Sequence, residues 1–267
     1  MSTLKTIVTS FIRLLGCYSY IFHWNDRSYK VFTPLGSVSK NAELRGNKKA
    51  LLSDFWKEHV IEVSSSPLIL AMRKGDPVLM EKVERAEEFI NHKLQIILSK
   101  PGKKASSAYN FNRLYELCVF GLNEDLLKLS EQLLSSFHLP VTASHGDLHI
   151  NNMILVTNEI KLIDWSMYNP DGSFVNDYIH FYNYLETLKE NQSWTVSILK
   201  EHEYLKQLAK QLQTTDTLLK LSYAMSRING EIGQYSSLRL IPKKQINKYN
   251  NVLFQLVTLI ERRKCLA

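Results

Sequence analysis

The stretch with the most chemical content is Ser144-His145-Gly146-Asp147-Leu148-His149-Ile150-Asn151-Asn152, followed twelve residues after Asn152 by Asp164 in Leu162-Ile163-Asp164-Trp165. A carboxylate in a loop can take the proton of an attacking hydroxyl. An amide oxygen five positions on, and a second carboxylate after a short hairpin, are hard oxygen ligands. Mg²⁺ uses one or two such ligands and completes its octahedron with phosphate oxygens and water. Asp147, Asn152 and Asp164 together therefore suit phosphoryl transfer, where positioning and charge neutralisation supply most of the catalysis. His145 reads as an orienting or core histidine. His149 could approach phosphate or metal, or be a satisfied loop histidine. Asp177, in Val175-Asn176-Asp177-Tyr178, reads as a helix N-terminal cap or a brace for a loop.

These groups need elements to hold them. Residues 18–32 predict a hairpin: Tyr18, Tyr20, Phe22 and Trp24 alternate, Asn25-Asp26 supplies the turn, and Tyr29 and Val31 follow. Leu44, Leu51, Leu52, Phe55 and Trp56 predict a helix over 41–58. Extended runs at 60–63 and 67–72 lead to a turn or linker at 73–77. Helical patterns then cover 79–98, 106–119 and 123–137. Met153–Val156 and Ile160–Ile163, split by Thr157-Asn158, predict a second small hairpin. Helices resume at 174–190, 194–213, 215–230 and 244–263. The fold class is α+β: a small N-terminal sheet with one helix, joined near 73–77 to a larger, mostly helical lobe with a short β insertion. Lys30 sits among apolar residues on the second predicted strand. It is the best cation for a nucleotide's phosphates, or else a snorkelling lysine.

Composition limits the alternatives. The chain has 267 residues, 45% hydrophobic and 22% charged, which excludes a disordered chain. No run approaches the ~20 apolar residues that span a bilayer. The N-terminus is interrupted by Thr6, Thr9, Ser10 and Arg13 and makes a poor signal peptide. Cys17, Cys118 and Cys265 are few, odd in number and far apart, so a reducing cytoplasm is expected. The net charge of +7 divides into +5 for residues 1–60, −4 for 61–238 and +6 for 239–267. Basic ends can meet phosphates or make peripheral contact with an anionic membrane surface. No zinc-finger, RNA-binding or basic-zipper pattern is present, so nucleic acid is not an expected partner. Nothing in the pattern specifies an oligomeric state.

The two motifs, HGDLHINN and LIDW, resemble the catalytic and metal-binding signature of the aminoglycoside phosphotransferase and choline kinase families, the small-molecule relatives of the protein kinases. The resemblance implies a bilobal protein kinase-like fold, with residues 1–74 as nucleotide-binding lobe and 75–267 as catalytic and substrate-binding lobe. It implies ATP and Mg²⁺ as cofactors. Asp147 matches the catalytic aspartate, and Asn152 and Asp164 match the metal ligands. Lys30 matches the phosphate-binding lysine and Glu43 its helix partner. Ser19 falls in the phosphate-covering loop, where Gly16 stands alone in place of GxGxxG. Met72, Arg73 and Lys74 fall at the adenine hinge. Trp165 stands where protein kinases have Phe, and Ser166 replaces a frequent acidic residue and is assigned nothing. The absence of Ala-Pro-Glu after Asp164 disfavours a protein kinase.

The implied activity is transfer of the γ-phosphoryl group of ATP to a hydroxyl of a small molecule such as a sugar, amino alcohol or aminoglycoside-like compound. The mildly acidic middle and basic ends leave a sugar of a bacterial surface polysaccharide or lipopolysaccharide as an alternative acceptor. A nucleotide-binding pseudokinase is a second alternative. Tyr109, Phe111, Tyr115, His180, Phe181, Tyr182, Tyr184 and Glu186 could wall an acceptor pocket, since cations bind aromatic faces. Their helical spacing favours a plain core role.

Overall fold

The computed structural model describes residues 19–33, 36–235 and 237–266; Gly16, Cys17 and Tyr18 lie outside them. Strands β1 (Ser19–Trp24) and β2 (Arg27–Phe32) form the expected hairpin, with Lys30 opposite Ile21. Asn25 takes the left-handed turn position at φ 52°, a conformation asparagine tolerates. A four-stranded antiparallel sheet of order β1-β2-β4-β3 is completed by β3 (Ser64–Ser66) and β4 (Ile69–Arg73). The run expected at 60–63 makes only a bridge from Val60 to Leu162. The strand forms instead from the three serines, an exposed edge with no apolar signature.

Helix α1 (Ser37–Leu51) turns a partly polar face inward, burying Lys40, Glu43, Gly46, Asn47 and Ala50. Its polar groups find partners: Lys40 donates to Ser65 Oγ at 3.0 Å and Asn47 to the Ile61 carbonyl at 2.7 Å. The helix stops short of the expected 58. Phe55 and Trp56, which prolonged the apolar pattern, are brought inward by the following turns, and the fully buried Trp56 donates Nε1–H to the Ala143 carbonyl at 2.8 Å. Gly46 has a specific reason to be glycine. A Cβ there would lie 1.9 Å from the Trp165 carbonyl oxygen. Alanine gains about 1 kcal/mol of helix propensity over glycine, but overpacking costs about 1–3 kcal/mol. Gly46→Ala is therefore expected to lower the urea midpoint at unchanged m-value.

Beyond Arg73 the chain leaves the first sheet. β5 (Asp76–Pro77) pairs with β8 (Met153–Val156), which pairs with β9 (Glu159–Leu162). The large lobe comprises α2 (Val83–Leu98), α3 (Phe111–Cys118), α4 (Glu124–Ser135), α5 (Phe174–Glu190), α6 (Trp194–Ser197), α7 (Glu203–Gln211), α8 (Asp216–Gly233) and α9 (Lys243–Leu266). A short ribbon, β6 (Gly102–Lys104) with β7 (His138–Pro140), was not expected from the sequence. The helix expected over 194–213 is two. His202 closes the break through its Nε2 against the Ser197 carbonyl at 2.8 Å, and Lys220 donates to the Lys200 carbonyl at 2.7 Å.

The main apolar core runs through the large lobe, with α5 and α8 buried along most of their length. Ile61, Met72 and Val156 form a separate small cluster. Among the described residues no helix is long and apolar enough to cross a membrane.

Candidate active site

The small sheet and α1 bring two charged residues to the large lobe. Lys30 Nζ lies 2.7 Å from Glu43 Oε2 and 3.0 Å from Asp164 Oδ2. Burial would lower the lysine's pKa, but Asp164 and Glu43 outweigh it and hold the ammonium above its ordinary value. Burial, helped by Asp164, pushes the Glu43 carboxyl up to about 7 against the pull of Lys30. Burial also opposes ionisation of Asp164, yet Lys30 and the Ser166 hydroxyl hold it below the usual carboxylate range. Asp164 sits in left-handed conformation at φ 62°, ψ 66°, as the cap of the 3-10 turn Trp165–Met167. For a non-glycine residue that strain is on the order of 1–3 kcal/mol, and such strain concentrates at functional sites.

Asp147 occupies the loop before β8. Gly146 makes the approach possible: its φ is 84°, and a Cβ would lie 2.3 Å from the Met167 carbonyl oxygen. Asp177, fully buried at the start of α5, accepts the backbone N–H groups of His145 at 2.7 Å and Gly146 at 2.8 Å. Its position is that of the loop brace. Burial pushes its carboxyl up to about 7 against those two donors.

His145 is buried, with Nε2 at 3.0 Å from the Ile163 carbonyl and Nδ1 accepting the Asp147 N–H at 3.3 Å. Only the neutral ring protonated at Nε2 makes both bonds. His180 contacts Asp147 Oδ1 at 3.1 Å through Nε2, and its Nδ1 faces the Tyr223 hydroxyl at 3.0 Å. A neutral ring satisfies both when Nε2–H donates to Asp147 and Tyr223 donates to Nδ1.

Arg227, on the buried face of α8, is the strongest partner of Asp147. Its Nη1 donates to Oδ1 at 2.7 Å and to the Gly146 carbonyl at 3.0 Å, while Nη2 reaches Glu231 at 3.3 Å. Burial alone would raise the Asp147 pKa. The guanidinium, with His149 and His180, holds it well below the carboxylate range instead. Sequence reading did not single out Arg227. An Arg-x-x-x-Glu pair inside an apolar helix, among Met225, Ile228 and Ile232, was the available signal.

Burial lowers His145 to about 4 and His180 to about 3, from an ordinary 6.5. Between those values the unfolded chain would hold the extra protons, so these two groups alone would cost stability as pH falls below 6.5. Glu43 and Asp177, raised to about 7, work in the opposite sense over the same interval, because the folded chain holds those protons. These four contributions should therefore nearly cancel between roughly pH 5 and 6.5. ¹⁵N NMR of the imidazoles is expected to show both rings neutral throughout that interval.

A cleft of about 370 Å³ lies between the lobes, lined by Lys30, Glu43, Met72, Asn152 and Asp164 along with Ile21, Gly75, Pro77 and Ile163. Asn152 donates Nδ2–H to the Asp147 carbonyl at 2.9 Å, which leaves its Oδ1 as the atom for a cation. Asn152 and Asp164 thus fit the two protein oxygens a Mg²⁺ bound to phosphates needs. Among the described residues no group of three or more His, Cys, Asp or Glu is placed to hold a metal unaided. Ser19, Arg73 and Lys74 do not line the cleft. Ser19 lies at the start of β1 opposite Phe32, and the Arg73 and Lys74 side chains are exposed. The Gly16 part of the phosphate-loop expectation lies outside the described residues. Of the aromatic set, Phe111 and Phe181 are core residues, Tyr109 is half-buried against the core, and His180 is the member that meets Asp147.

No family model matches the chain, and no curated protein sequence is significantly similar to it. Solved structures are. An ethanolamine kinase from Plasmodium vivax superposes with a TM-score of 0.51 at 13% identity, covering 92% of this chain and 83% of that one. The choline kinase LicA from Streptococcus pneumoniae gives a TM-score of 0.51 at 12% identity, covering 96% and 99%. At such identities what is shared is the fold, and it is the bilobal α+β fold that the HGDLHINN and LIDW resemblance implies.

Proposed function

We propose that this chain is an ATP- and Mg²⁺-dependent kinase of a small-molecule hydroxyl. The observation that carries the reading is Lys30, held at 2.7 Å by Glu43 and at 3.0 Å by Asp164 in an interlobe cleft. A lysine fixed between a helix carboxylate and a loop carboxylate is placed to pair with the phosphates of a nucleotide. On this reading residues 1–74 and 75–267 are the two lobes, and Met72 contributes an apolar wall beside the base. Asn152 and Asp164 hold Mg²⁺, which neutralises charge on the phosphates when bound. Asp147 accepts a hydrogen bond from the acceptor hydroxyl through Oδ2, since Oδ1 already takes Arg227 and His180.

The acceptor oxygen then forms a bond to the γ-phosphorus as the bond to the bridging oxygen breaks. ADP leaves, and the hydroxyl proton passes to Asp147 late in the transfer. A carboxylate held so far below its usual range is a weak base, so orientation outweighs proton abstraction in its contribution.

The test is ADP release from Mg-ATP over a panel of sugars, amino alcohols and aminoglycosides, with and without EDTA. Acceptor-dependent release abolished by EDTA is expected. Nucleotide binding without turnover on any acceptor favours a pseudokinase, and absence of nucleotide binding overturns the reading.

A further inference from the structure

We infer that the phosphoryl acceptor is an anion, a hydroxyl compound bearing phosphate or carboxylate, whose charged group sits in a second cavity beside the Asp164 loop. This rests on the kinase reading above. The first support is what the site lacks for a cation. The charge of Asp147 is already matched by Arg227 at 2.7 Å. Two of the aromatic rings that could hold an ammonium already have one face occupied: His149 stacks on Tyr184 at 4.2 Å, and Tyr182 stacks with Tyr204 at 5.1 Å. The Tyr109 hydroxyl is buried against Ser222 at 2.6 Å. An open aromatic face is what cation binding requires.

The second support is the cavity itself. It has a volume of about 440 Å³ and opens between α1, the segment 165–171, the start of α3 and the end of α8. Arg45 and Lys49 enter it from one face of α1, four residues apart, and neither makes an ion pair among the described residues. Arg113 enters from α3, its guanidinium fixed by the carbonyls of Ile232 at 3.0 Å and Tyr235 at 3.3 Å, which orient it without neutralising it. Asp171 is the one carboxylate in the wall, leaving an excess of two positive charges. The volume falls in the range that takes a compound of monosaccharide size.

The cavity borders the Asp164 loop, where the Ser166 hydroxyl in its wall hydrogen-bonds the Asp164 carboxylate. Its wall residue Ser166 is two positions after Asp164, and Gly230 is three after Arg227. An anion there would be attracted, and an ammonium repelled, by the same three cations.

The test has a binding arm and a turnover arm. Wild type and the Arg45→Ala/Lys49→Ala double variant, both saturated with ADP, are titrated with inorganic phosphate while the amides of Asn169 and Asn229 are followed by NMR. Saturable shifts in the wild type, weakened at least about tenfold in the variant, are expected. No saturable shift, or the same affinity in the variant, overturns the proposal. For turnover, glucose, glucosamine, glucose 6-phosphate and glucuronate are compared with Mg-ATP. The anionic members should have the highest kcat/KM, and the double variant should raise their KM rather than lower kcat. A preference for glucosamine or glucose sinks the anionic acceptor and leaves the kinase reading standing. Failure to bind ATP sinks the kinase reading, and the phosphate titration still decides the cavity. The two phosphorylated and carboxylated probes separate the two oxyanion sources.

Discussion

Replacing Asp147 by asparagine is expected to lower kcat by about 10²–10⁴-fold with little change in nucleotide affinity. The amide keeps an oxygen for Arg227 Nη1 and His180 Nε2, both of which meet Oδ1 in the wild type. The local fold therefore has what it needs. Oδ2 becomes an NH₂, which donates where the acceptor hydroxyl must also donate. The nucleotide contacts proposed for Lys30, Asn152 and Asp164 come from side chains that this substitution leaves unchanged. Steady-state kinetics beside equilibrium titration with ADP separates the two effects. A kcat within a few-fold of wild type would remove Asp147 from the reaction.

The second large effect is on stability. Arg227→Met takes one cation from a buried set in which it serves two carboxylates and a backbone carbonyl. Breaking a buried ion pair from one side costs about 3–5 kcal/mol, because the stranded charge stays buried. Asp147 would retain His180 and His149, and Glu231 would retain Tyr249 at 2.6 Å and Gln245 at 3.0 Å. Those remaining donors favour the lower part of that range. For a chain of this size each kcal/mol moves Tm by about 2–4 °C, so a drop on the order of 10 °C is expected in calorimetry. Arg227→Lys should recover only part of it, since one ammonium cannot reproduce a fork aimed at Asp147 and Glu231 together.

The cluster that forms the candidate site was legible in part because its residues are close in sequence. Asp147, Asn152 and Asp164 lie within eighteen residues, and the two short apolar runs between Asn152 and Asp164 read as a hairpin. Lys30 was legible because a lysine inside an alternating strand is unusual. Pairing across the fold was not legible. Arg227 reaches Asp147 over eighty residues, and His180 over thirty-three. Periodicity also misled where apolar side chains pack from turns: Trp56 continues the pattern of α1 from beyond its end. The strands Ser64–Ser66 and Gly102–Lys104 carry no apolar alternation at all, because exposed short strands are recruited by backbone pairing and not by burial.

The contact of Gly46 with the Trp165 carbonyl has a mechanical consequence. At that point α1 packs directly on Trp165, and the second cavity opens beside the contact. Asn47 clamps the same helix to Ile61, and Lys30 ties it to Asp164 through Glu43. An on–off cycle that swings this helix outward would have to peel away all of these at once. For the nucleotide proposed above, the element left to move aside is β1, the exposed edge strand of the small sheet.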